Sequence, residues 1–127
     1  MKVSYNSIKE IEMFSNIQPF IPTLDFHVSR QFYLDFGFEI DYEYDESKLF
    51  KKDKVSFFIQ KYYIKDWAEN TMLQLYVDDL EDILKHIKKL KESYPMIKYT
   101  EIKDVHYGKT IHLIDPAGVL LHLTDPR

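Results

Sequence analysis

Hydrophobic positions in this chain follow two rhythms, helical and alternating, and the same order of rhythms occurs twice. The apolar stretch Phe20-Ile-Pro-Thr-Leu-Asp25 ends on an aspartate and runs into a segment with Phe32, Tyr33 and Phe36 at helical spacing. Asp25 or Ser29 caps that helix, and Gly37 stops it as a left-handed residue. Pro19 and Pro22 place the preceding strand at an edge or a crossing. Residues 38–44, Phe-Glu-Ile-Asp-Tyr-Glu-Tyr, alternate apolar with acidic and predict a half-buried strand with its aromatic side inward. A turn at Asp45-Glu46-Ser47, a short strand over 48–51, a turn at Lys52-Asp53 and a longer strand over 55–63 complete the first set.

Residues 64–70 read as a connector, and the order then repeats. A strand over 71–77 ends at Asp78 or Asp79, which opens a helix with Leu80, Ile83, Leu84, Ile87 and Leu90 on one face. Pro95 closes that region, and 98–102 predicts a strand. Residues 107–114 and 119–123 predict a hairpin about Asp115-Pro-Ala-Gly118, with Gly118 placed for positive φ. Two registers remain open for it. A three-residue loop with a bulge at Gly118 puts His112 and His122 on one face; a four-residue loop puts them on opposite faces. Ahead of both sets, Ser7 and Glu10 make a capping box for a short helix over 7–15.

Strand, helix and three strands, twice over, predict an α+β fold of two βαβββ modules, with helices outside a curved sheet. The boundaries are an accessory N-terminal helix at 1–16, a first module at 17–67 and a second at 68–127, within one domain. The modules match in architecture, Asp25 aligning with Asp78, rather than in close identity. Where two such modules meet, a cleft for a small ligand is expected.

Composition narrows the function. The chain has 127 residues, a net charge of −4 and basic residues that are scattered except for a solvated helix face at 85–91, so nucleic acid is not the expected partner. Cysteine is absent, which removes disulfides, thiolate catalysis and zinc-thiolate sites. The opening residues lack the apolar core of a signal peptide, and no run approaches the ~20 apolar residues of a membrane span. A cytoplasmic protein without membrane contact is expected. Ten Tyr and nine Phe exceed what a core this size requires, so part of that aromatic surface is expected in a pocket or a subunit interface.

Residues 25–38, the run Val77-Asp78-Asp79-Leu80, and Gly108 through Asp115-Pro-Ala-Gly118 to His122 resemble the glyoxalase / bleomycin resistance / extradiol dioxygenase superfamily, also called vicinal oxygen chelate. The likeness covers residues 17–124. Tyr107-Gly108 with the following turn and His122, the run Asp53-Lys-Val-Ser-Phe-Phe-Ile59, and Asn70-Thr71 have the spacing of the bleomycin resistance proteins. That resemblance implies a homodimer that sequesters a cationic or aromatic ligand, such as a glycopeptide antibiotic, in a dimer-interface cleft. It implies ligand contacts at Asp41, Tyr42, Gln60, Tyr107 and Gly118. The family carries tryptophan where this chain has Tyr107 and Gln74; Trp67, with Tyr62 and Tyr63, is the expected replacement for the lost clamp. His122 joins the set as a ligand-facing residue.

The superfamily's metalloenzymes place His or Gln, Glu, His and Glu at four strand positions. Here those positions fall on Gln18, Phe57 or Phe58, Met72 and His122. Apolar side chains at two of them cannot hold a hard cation. No metal, no cofactor and no catalytic residue is therefore expected. The alternative is a divalent-metal glyoxalase or dioxygenase of the same fold, for which only His112 and His122 offer imidazoles. His27 and His86 are expected on solvated helix surfaces, and His106 beside Tyr107 at a cavity mouth.

Overall fold

The computed structural model describes residues 13–127. Local signals account for most of its elements. β1 (Phe20–Pro22) leads into α1 (Phe26–Phe36), which Asp25 caps by accepting from the backbone N–H groups of His27 and Val28. Gly37, at φ 120°, closes α1 with its N–H on the carbonyl of Leu34. β2 (Glu39–Glu43), β3 (Ser47–Lys52) and β4 (Val55–Gln60) follow. They form a four-stranded sheet in the order β1-β4-β3-β2, with β1 parallel to β4.

A short α2 (Lys65–Glu69) precedes the second set: β5 (Met72–Tyr76), α3 (Leu80–Ser93), β6 (Lys98–Tyr99), β7 (Lys103–Val105), β8 (Gly108–Ile114) and β9 (Leu120–Asp125). Its sheet runs β5-β9-β8-β6, with β7 also on β8 and β5 parallel to β9. The first strand of each set lies beside the last, so the two sheets have one topology, the βαβββ order that the repeated pattern predicts.

Four expectations need correction. The predicted connector at 64–70 contains α2, one turn too short to leave a readable period. The predicted strand at 98–102 is regular only over Lys98–Tyr99, and β7 starts beyond it at Lys103, because Thr100 leaves the regular ladder: its N–H donates to the His112 carbonyl, and its hydroxyl accepts from the His112 N–H. The aromatic side of 38–44 does not all face inward. A bulge at Asp41 sets Ile40 opposite Phe50 but Tyr42 opposite Leu49, which carries Tyr42 to the far face of the sheet. The helix read over 7–15 falls largely outside the described residues, and residues 13–15 are not helical.

Both sheets turn one face to a single shared core. Ile21, Phe57 and Ile59 of the first sheet and Ile111, Leu113, Leu121 and Leu123 of the second join one cluster with Phe32 and Tyr33 of α1 and Leu84, Ile87 and Leu90 of α3. The Tyr33 hydroxyl donates to Asp115 Oδ2 at 2.6 Å, a buried bond from the first helix to the last hairpin turn. Burial pushes the Asp115 carboxyl above the ordinary range, although bonds from Tyr33 and the turn amides pull the other way. Each sheet's opposite face is left uncovered by the described chain.

One backbone contact on the second sheet admits only glycine. Gly108 has φ 140°, and a Cβ there would collide with the Asp125 carbonyl oxygen and lie 2.7 Å from Pro126 Cα. Gly108→Ala is expected to cost about 2–4 kcal/mol in urea denaturation, strain and clash combined. Gly37→Ala, also at positive φ but with open space around it, should cost about 1–2 kcal/mol. Equal losses at the two positions would show that the Asp125 contact is not what excludes a side chain.

Candidate functional site

Alternation along β5 buries Leu73 and Leu75 partly and exposes Met72, Gln74 and Tyr76. In β9 it turns Leu121 and Leu123 into the core and His122 away from it. The hairpin register then decides what His122 meets. The N–H of Asp115 donates to the Val119 carbonyl at 2.9 Å, so the loop is the three residues 116–118 and His112 pairs with His122. Their rings are 4.5 Å apart at 74°. Gln74 is the register partner of His122 on the other side. Gln74, His122 and His112 therefore form a row across three adjacent strands.

The polar groups around that row satisfy one another, with one exception. Thr124 Oγ1 donates to Gln74 Oε1, and Thr110 Oγ1 bonds the Leu123 carbonyl. Both ring nitrogens of His122 are buried and have no partner among the described residues. Burial, then the neighbouring His122 and Lys103, push the His112 imidazole below its ordinary value, so it is neutral at pH 7.

The first sheet carries an apolar row on its uncovered face. Register aligns Phe20 with Phe58, Phe58 with Leu49, and Leu49 with Tyr42. Phe20 and Phe58 stack at 4.3 Å and 5°. Phe20 is 48% exposed and Tyr42 59%, large values for aromatic rings in a sheet. Gln60 lies on the same face, between Pro22 and Ser47.

Of the predicted site residues, the structure thus puts Tyr42 and Gln60 on one sheet face and Gln74 beside His122. Asp41 is exposed at the bulge. Tyr107 and Gly118 lie beyond opposite ends of β8, with about 20 Å of strand between them. Tyr107 packs on His106 in the β7–β8 turn. Trp67 sits on α2, its ring 6.2 Å from that of Tyr62. One chain does not gather the predicted residues into one cluster. Sequence reading missed Phe20 and Tyr76 and took Met72 and Phe58 only for metal positions; the alternation in β4 and β5 was the signal that carried Phe58, Met72 and Tyr76. His27 and His86 are both exposed on helices as expected, and His86 also reaches across to α1, its Nε2 2.8 Å from the Asp35 carbonyl and its ring stacked on Phe36.

One concavity lies away from both rows. A groove of about 710 Å³ runs between the modules over Phe36, Phe38, Leu75, Val77 and Ile83, with Lys52, Lys54, Asp78 and Asp82 on its rim. None of the predicted site residues lines it. A flat sheet face encloses no volume until a second surface covers it.

The superfamily's metal positions do not suit a hard divalent ion. Gln18 Nε2 donates to Ser56 Oγ at 3.2 Å, and Phe58 and Met72 are apolar. Among the described residues no group of three or more His, Asp or Glu is arranged to hold a metal ion. No helix among them is long and apolar enough to cross a membrane.

No protein-family model and no curated protein matches the sequence. Solved structures do match the fold. The bleomycin-binding protein of Streptomyces verticillus complexed with copper(II)-bleomycin superposes with a TM-score of 0.78 at 19% identity, covering 92% of this chain and all of its own. The bleomycin resistance determinant encoded on transposon Tn5 gives 0.75 at 21%, covering 90% of this chain and 99% of its own. Lactoylglutathione lyase from Agrobacterium tumefaciens gives 0.64 at 15%, covering 90% and 96%. The chain has the glyoxalase/bleomycin resistance fold, as its sequence resemblance implies. At these identities the likeness is one of architecture, and it includes binding proteins and an enzyme alike.

Proposed function

We propose that this chain binds and sequesters a flat aromatic small molecule without transforming it, in a cleft completed by a second copy. The observation that carries the reading is the pair of uncovered sheet faces. One bears the stacked Phe20 and Phe58 in a row with Tyr42; the other bears Gln74, His122 and His112. An exposed aromatic row such as the first marks an interaction surface. A homodimer that lays the first sheet of one copy against the second sheet of the other would enclose both rows. Asp41, Gln60, Trp67, Tyr107 and Gly118 would then border the cleft from its ends and edges. The fold neighbours that bind bleomycin support a small-molecule ligand.

Sedimentation should show a dimer, and a thermal-shift screen with bleomycin, phleomycin and other flat aromatics should raise the melting temperature by mass action. Phe58→Ala is expected to weaken such a ligand at least tenfold, about 1.4 kcal/mol. Unchanged affinity would remove this face from the site. The facing imidazoles favour a second reading, a divalent-metal enzyme of the same fold. Stoichiometric retention of added nickel or zinc, lost in His122→Gln, would replace the first reading with the second.

A further inference from the structure

The uncovered face of the second sheet is basic in an acidic protein. The chain carries a net charge of −4. Yet register puts Lys98 beside Ile114 and Lys103 beside Thr110, on the face that carries His112 and His122. The acidic residues of these strands, Asp104 and Asp125, both pair with Lys109 and so alternate to the other side. No carboxylate of the sheet shares the face.

His122 adds a second, independent feature. Its two ring nitrogens are buried in the single chain and have no hydrogen-bond partner among the described residues, while Thr110, Thr124 and Gln74 are occupied with one another and with the backbone. An orphaned buried polar group in a folded protein calls for an explanation, and at a sheet face that carries a lysine a bound ligand supplies one. Neutral imidazole offers one N–H donor and one acceptor, and a nearby ammonium supplies charge. Such a site suits an oxyanion and repels a cation.

Building on the binding function above, we propose that the ligand is an acidic aromatic, and that its carboxylate or phenolate oxygen is received by His122 and His112, with Lys103 providing the countercharge. The aromatic body would lie on the Phe20–Phe58 row. This reverses the cationic ligand that the sequence resemblance implies: the local field at the site, rather than the total charge of the chain, selects the ligand. His122 and Lys103 are then specificity residues, and the cationic compounds that suit other proteins of this fold would bind here only through their rings.

The test uses three probes that share one ring system, titrated by fluorescence at pH 7 against the full chain: anthracene-9-carboxylate, 9-(aminomethyl)anthracene and anthracene-9-methanol. The carboxylate is expected to bind at least tenfold tighter than the ammonium. Lys103→Gln should weaken the carboxylate at least fivefold and leave the methanol unchanged, and His122→Gln should weaken the carboxylate at least fivefold and more than it weakens the methanol. Lys103 is exposed, so its variant keeps the test valid if His122→Gln fails to fold. Ammonium binding equal to or tighter than carboxylate binding would overturn the acidic ligand while leaving an aromatic site standing. Failure of all three probes to bind would overturn the aromatic site itself.

Discussion

Asp115→Ala is expected to remove about 3–6 kcal/mol of folding stability, much of what a domain of this size has. The carboxyl is 2% exposed. Its Oδ1 accepts from the N–H of Ala117 at 2.8 Å and of Val119 at 3.0 Å, and its Oδ2 accepts from the Tyr33 hydroxyl at 2.6 Å. Truncation would leave two amides and a hydroxyl in a dry interior without acceptors, each at about 1–3 kcal/mol. It would also cut the bond that joins α1 to the β8–β9 turn, and with it the geometry that holds His112 opposite His122. Asp115→Asn keeps one acceptor oxygen and should lose less. Urea denaturation of both variants decides the matter; a loss below about 1 kcal/mol for alanine would mean that water reaches the turn and replaces the carboxylate.

Alkaline pH should unfold the protein steeply. Desolvation, the charge of Asp115 and the bond to it raise the Tyr33 hydroxyl well above its ordinary value. Desolvation, with the bond to Asp35 at 2.6 Å, raises Tyr94 as well. In the unfolded chain both tyrosines ionise near pH 10, whereas in the fold both keep their protons. The unfolded state then binds two fewer protons than the native one. Their contribution is fully present below about pH 10 and is lost as pH rises toward the folded values. The slope is about −1.4 kcal/mol per pH unit for each tyrosine, so about −2.7 for the pair. Tyr33→Phe lowers stability at neutral pH but should halve that slope. Stability measured by urea between pH 9 and pH 11.5 reads both effects. An unchanged slope in the variant would show that Tyr33 is not the group withholding its proton.

Much of this protein was legible in its sequence because the signals are local. Asp25 caps α1 and Gly37 ends it through contacts within five residues, and an alternating run such as Met72 to Tyr76 sorts its own side chains into two faces. The strand-helix-strand order, its repetition and the fold they imply follow from such short-range regularities. Their success at α3 and failure at α2 have one cause: a period must recur before it can be read, and α2 makes barely more than one turn.

What the tertiary structure alone decided is which faces and which neighbours those side chains received. Tyr42 reads as an inward aromatic, and a single extra residue at Asp41, set by pairing with Phe50 and Leu49 on another strand, sends it outward. His112 and His122 were undetermined between facing and opposed until the Asp115–Val119 bond fixed a three-residue loop. Asp115 in turn is held by Tyr33, 82 residues away in the chain. Local pattern specifies what each segment prefers, but register depends on hydrogen bonds between distant segments, and a shift of one residue exchanges every side chain between core and site.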